Sequence, residues 1–133
     1  MPSTRQPDYR RLLTFRTSLR RFERWSEDQA RSAGLTPAQH QLLLVSKGHD
    51  DERGPTVGQV AEYLMLQHHS AVGLIDRAEA AGFVVRVKDD RDARGMRVRL
   101  THAGDEVLAQ LTRLHLEEIR RLAPIVQSLS DGA

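Results

Sequence analysis

The chain has 133 residues, 39% hydrophobic and 29% charged, with a formal net charge of +2 and no cysteine. That describes one ordinary domain of highly charged, soluble chain. The missing cysteine excludes a disulfide framework, thiolate catalysis, thiol redox sensing and Cys-type zinc sites. No apolar run approaches the roughly 20 residues that a membrane span needs, so no membrane partner is expected.

The positive charge is almost all arginine, Lys47 and Lys88 being the only lysines. Arginine reads phosphate and guanine bidentately, but it also follows the base composition of a genome. Where the charge sits therefore matters more than its sum. Met1-Pro2-Ser3-Thr4-Arg5 leads into charged sequence rather than an apolar signal region, and a cytoplasmic chain is the expectation.

From Asp8 to Ala33, Leu12, Phe15, Leu19 and Phe22 recur at three- and four-residue steps among arginines. This predicts one long amphipathic helix whose narrow apolar seam suits a partner helix, stopped by Gly34. Thr36-Pro37-Ala38-Gln39 opens a second helix, with threonine as cap, proline in the first turn and glutamine reaching back. Leu42, Leu43 and Val45 form its buried face, and the polar turn from Gly48 to Pro55 ends it.

Thr56 caps a short helix, Val57 to Leu64, with Val60, Ala61 and Leu64 facing inward. After a break at Met65-Leu66-Gln67 comes a longer helix, 68–81, closed by Gly82. Two helices joined by a tight turn make the helix-turn-helix pattern. Residues 83–88 and 96–100 then read as two strands around the charged turn 89–95, a β-hairpin with arginines facing out. Thr101 caps a last long helix with Val107, Leu108, Leu111, Leu114 and Ile119 as its apolar set. It is expected to run to Arg121 and break near Pro124, before a short segment 125–129.

Ala71, Leu74, Ile75 and Ala78 follow the i, i+3, i+4, i+7 pattern and must pack inward. The opposite face carries His69, Ser70, Val72, Gly73, Asp76 and Arg77, small or hydrogen-bonding groups suited to base edges in a major groove. The hairpin sets Arg86, Lys88, Arg91, Arg94, Arg97 and Arg99 against Asp89, Asp90 and Asp92. Arg91 and Arg94 at its tip suit the negative potential of a minor groove. Taken alone, the helix face also reads as a solvated surface, and the hairpin as a turn with surface ion pairs.

From Leu35 to Leu114 the chain resembles the MarR (multiple antibiotic resistance regulator) family of bacterial transcription factors. The matching motifs are Leu35-Thr36-Pro37-Ala38-Gln39, Pro55-Thr56-Val57-Gly58-Gln59-Val60-Ala61, Val72-Gly73-Leu74-Ile75-Asp76-Arg77, Ala81-Gly82-Phe83-Val84, Asp92-Ala93-Arg94 and Leu100-Thr101-His102-Ala103-Gly104. The resemblance implies a mainly α fold with a small β-hairpin wing: a single 1–133 winged helix-turn-helix domain with long N- and C-terminal dimerisation helices. The dimerisation helices would be 8–33 and 104–133, and the DNA-binding lobe 34–103. It implies a homodimer, most often a repressor, on double-stranded DNA at a pseudo-palindromic operator, released by a small aromatic or phenolic effector.

In this sequence the recognition helix would use Gln67, His68, His69, Ser70, Val72, Gly73 and Arg77. The wing would use Arg86, Arg91, Asp92, Arg94 and Arg97. Leu12, Phe15, Leu19, Leu114 and Ile119 fall at the dimer seam, and Phe22, Trp25 and His40 near the effector pocket. Gln67 is a poorer cap than the family's usual serine-like residue, and Gly73 replaces a residue that is often polar or basic.

His68 and His69 are adjacent, so they splay about 100° apart on a helix and do not chelate together. His40 and His115 fall where some family members sense zinc, but Gln39 and Gln41 flank His40 where acids would be wanted. No metal site is expected. No His-Glu-x-x-His motif, phosphate-cradling glycine loop or nucleophile elbow occurs, so no enzymatic activity and no cofactor are expected. The competing class is a winged-helix protein-protein module without DNA binding, against which the basic hairpin and Arg77 argue.

Overall fold

The computed structural model describes residues 3–89, 91 and 95–131. Its elements run α1 (Gln6–Ser32), α2 (Pro37–Gly48), α3 (Val57–Leu64), α4 (His68–Ala80), β1 (Val84–Lys88), β2 (Met96–Leu100) and α5 (His102–Asp131). The expected mainly helical fold with one antiparallel hairpin is present, β1 and β2 pairing from Val84↔Leu100 to Lys88↔Met96.

Local chemistry explains most boundaries. Thr36 Oγ1 accepts from the Gln39 amide at 3.1 Å while Gln39 Oε1 accepts from the Thr36 amide at 3.0 Å. Thr56 and Gln59 repeat the exchange at 3.1 and 2.9 Å. Each such cap contributes about 1 kcal/mol. The first helix starts at Gln6, ahead of the expected Asp8, because Asp8 reaches back to accept the Arg5 amide at 3.0 Å. Between α3 and α4 the turn is made by Met65 in the left-handed region, φ 55°. For a non-glycine residue that conformation costs about 1–2 kcal/mol. Gly82, φ 85°, closes α4 as expected, with Phe83 N donating to Ala78 O at 3.0 Å.

The core is one cluster in which Leu42 and Leu43 of α2 meet Val60, the four inward residues of α4, Val84 and Val98 of the hairpin, and Leu108 and Leu111 of α5. Val45 is only half-buried. The long helices contribute little: α1 buries Ser26 and Ala30, and α5 buries nothing past Leu111. α5 does not break at Pro124 but runs unbroken to Asp131. Apolar residues on both sides of the proline, Ile119, Leu122, Ile125 and Val126, line one cleft with α1. Arg11 Nε and Nη2 then bind the Leu129 carbonyl at 3.1 and 2.6 Å. Contacts along the whole seam outweigh the single backbone hydrogen bond that proline removes.

Two glycines set how closely the hairpin packs. Thr101 Oγ1 donates to Gly82 O at 2.6 Å and accepts from Gly104 N at 3.0 Å, clasping the start of α5 to the end of α4. A Cβ on Gly104 would lie 2.1 Å from Phe83 O, and one on Gly54 (φ +90°) 2.1 Å from Val98 O. Either clash requires backbone to move. Gly104→Ala is therefore expected to destabilise by about 1–3 kcal/mol in urea unfolding. Gly58→Ala, whose nearest neighbour is Thr56 Oγ1 at 3.9 Å, should leave the midpoint unchanged or raise it.

Candidate nucleic-acid interface

Helix α4 is anchored by Ala71, Leu74, Ile75 and Ala78, all buried. That anchoring turns the opposite face outward. Gln67, His68 and His69 are exposed; Ser70, Val72 and Gly73 are partly exposed. Gln67 makes no side-chain cap bond, so its amide and the first-turn N–H groups of α4 are free to meet a partner. Arg77 is exposed and folds back along the helix, its Nη1 3.2 Å from where a Cβ of Gly73 would stand. The missing side chain at Gly73 is the space that this guanidinium occupies.

The hairpin arginines differ in surroundings. Arg91 is exposed; Asp92 and Arg94 lie outside the described residues. Arg97 does not follow the expected outward alternation. Its guanidinium turns in to Asp89 Oδ2 at 3.0 and 2.9 Å and to Gly54 O at 3.1 Å. Asp89 is buried, accepts the Arg91 amide at 3.0 Å and also meets Arg53 at 3.2 Å. The Arg91 amide, then Arg97, hold its carboxyl below the usual aspartate range. Asp51 is held low in turn, first by the Arg53 side chain. This chain of alternating charge fixes the base of the hairpin to the loop before α3. Pairing between Arg53 and Asp89, 36 positions apart, leaves no local sequence signal; only the Asp51 and Arg53 pair, two apart in a polar turn, is local.

Arg86 is likewise occupied. It bonds Asp76 Oδ1 at 2.5 Å and Glu79 Oε1 at 2.8 Å, while its own amide donates to Glu79 Oε2 at 3.2 Å. Of the residues expected at the dimer seam, Phe15, Leu19 and Ile119 line a cleft of about 430 Å³ between α1 and α5. Leu12 lines a neighbouring cleft with Phe15 and Leu129, and Leu114 is exposed on α5 outside both.

A MarR family model matches residues 33–95, the stretch from the end of α1 through the hairpin. The chain is 30% identical over 111 residues to the HTH-type transcriptional regulator YkoM of Bacillus subtilis, covering 80% of this chain and 70% of YkoM. The chain belongs to the MarR family.

A second relative of this MarR-family chain, the transcriptional activatory protein BadR of Rhodopseudomonas palustris, is 40% identical over 80 residues. That match spans 58% of this chain and 46%, less than half, of BadR. Among solved structures, a mutant of S. aureus MepR bound to an oligodeoxyribonucleotide shares the fold with a TM-score of 0.69 at 20% identity, covering 84% of this chain and 80% of that one.

In this MarR-family chain Phe22, Trp25 and His40 gather with His115 where α1, α2 and α5 meet. The His115 ring stands 4.8 Å from both Trp25 and His40 and 6.0 Å from Phe22. Its Nδ1 lies 2.7 Å from Leu111 O, which can only accept, so Nδ1 carries the proton. Nε2, 2.7 Å from Ser26 Oγ, then accepts from that hydroxyl in the neutral ring. Both ring nitrogens are thus committed within the protein. Among the described residues, no three His, Cys, Asp or Glu side chains form a candidate metal cluster, and no helix is long and apolar enough to cross a membrane. Sequence reasoning named the two histidines but missed Ser26, a polar residue on the apolar side of α1.

Burial, and secondarily His115, lowers the pKa of His40 below its ordinary 6.5. In the window between that value and the lower folded one, the unfolded state binds more protons, so stability falls as pH falls. Unfolding midpoints should therefore drop as pH goes from 7 towards 5. The drop should be shallower in His40→Gln, as measured by chemical denaturation at each pH.

Proposed function

We propose that the chain is a homodimeric, sequence-specific DNA-binding regulator, with α4 reading a major groove and the hairpin lying along the neighbouring minor groove. The observation that carries this is the outward face of α4. Small and hydrogen-bonding groups around Gly73, with Arg77 folded over it, stand beside an arginine-bearing hairpin and are exposed or partly exposed among the described residues. Side chains of this kind reach base edges, and arginine supplies the phosphate and groove contacts. The oligonucleotide in the MepR mutant structure supports the reading, because that chain has the same fold.

The second copy is argued from the apolar seam. Leu12, Phe15, Leu19, Leu114 and Ile119 are each more than 40% exposed in a single chain whose own core is small. A partner's seam would cover them and place two α4 helices on successive turns of a pseudo-palindromic operator. We propose repression as the mode, since a dimer seated on DNA occludes it without further contacts; the name of BadR marks the opposite sign in a relative. Release would follow from a small aromatic molecule in the cleft of about 450 Å³ lined by Phe22, Ser26 and His40 between α1 and α2. Such an occupant would shift the seam relative to the lobe that carries α4.

Three outcomes test this on a duplex of the region upstream of the protein's own gene. Arg94→Ala should weaken binding by about 1–3 kcal/mol. The logarithm of the affinity should fall linearly with the logarithm of salt, by about 0.9 per phosphate neutralised. Leu19→Glu should sediment as a monomer and lose operator binding while keeping its helical circular dichroism; unchanged sedimentation would move the dimer interface elsewhere.

A further inference from the structure

A helix that reads DNA is poorly served by carboxylates on its outer side, yet α4 carries two. Asp76 shares a face with His69 and Gly73, at helical spacings of seven and three. Glu79 follows one turn later, and both side chains are well exposed, 60% and 42%. Within a Debye length of about 10 Å each would repel a phosphate. The structure places one cation between them. Arg86 comes from β1 across the gap, with one guanidinium nitrogen on Asp76 (2.5 Å), another on Glu79 (2.8 Å) and only 20% of its side chain left exposed.

This arrangement does three things. The fork spans two carboxylates three residues apart, which the single ammonium of a lysine does poorly. It ties the strand that begins the wing to the outer edge of α4, with the Arg86 amide on Glu79 as a third bond. It also lowers the net charge of the edge from −2 to −1 without adding a donor directed at the partner. Ion pairs whose carboxylates are this exposed add little to folding stability, so stability does not explain the clamp.

We propose that Arg86 is a positioning residue rather than a DNA contact: held between Asp76 and Glu79, it masks their carboxylates from phosphate. This rests on the DNA-binding reading above. It separates Arg86 from Arg77 and Arg91, which are exposed.

The test is binding of the duplex from upstream of the gene, by fluorescence anisotropy at several salt concentrations. Arg86→Ala should weaken binding about tenfold, the scale of coupling between contacting charged groups, with an unchanged salt slope. Adding Asp76→Asn and Glu79→Gln to it should restore affinity to within about threefold of the unaltered protein, because the charges being masked are gone. In the Arg86 background, the same two neutral substitutions should leave binding undiminished, which gives a reading even if Arg86→Ala fails to fold. If Arg86 instead neutralises a phosphate, the triple variant stays as weak as Arg86→Ala and the slope is shallower by about 0.9. That result overturns the inference and leaves DNA binding standing. No binding by the unaltered protein overturns both.

Discussion

The face that α4 turns outward is fixed by the face that it buries. Ala71, Leu74, Ile75 and Ala78 are sealed against Leu42, Leu43, Val60, Val84 and Val98, and the two alanines let the helix sit close to its neighbours. Rotating α4 by one residue, about 100°, would bury the polar groups beside it and expose apolar ones. The outward set from His69 to Arg77 is thus a consequence of core packing. The hairpin is held to the same frame by backbone contact at Gly54 and Gly104 and by the Asp51, Arg53, Asp89 and Arg97 chain of charges. The helix and the base of the hairpin are thus tied to one frame.

The long helices follow a different logic. They bury Ser26, Ala30, Gly104, Leu108 and Leu111 and then extend as an apolar seam that one chain leaves open. Small domains bury a limited share of their surface, and a second copy is an economical way to complete the seam. In the proposed dimer the histidine cluster lies where the seam joins the lobe, so a change there would be felt at α4. Both nitrogens of His115 are hydrogen-bonded within the chain and burial lowers the His40 pKa, so this joint is packed and hydrogen-bonded.

Much of this was legible in sequence because local chemistry decided it. Two threonine-glutamine capping boxes, the glycine after α4 and the alternation around Val84 and Val98 each name their structure within a few residues. What was not legible depends on partners distant in the chain. Arg97 fits an outward strand position until Asp89 and Gly54 are known to lie beside it. Arg86 reads as one more wing arginine until Asp76 and Glu79 are placed across from it. Pro124 looks like a break until α1 is seen to hold both sides of it. In each case a contact far along the chain reverses a local preference, and a charged residue's sign says nothing about which neighbour it meets.

Sedimentation velocity with a labelled duplex of the upstream region tests the central idea most directly, because it counts chains per DNA. Two chains on one duplex, assembling only when the α1–α5 seam is intact, is the expected result. One chain per duplex, or a protein that sediments free of DNA at low salt, would contradict it.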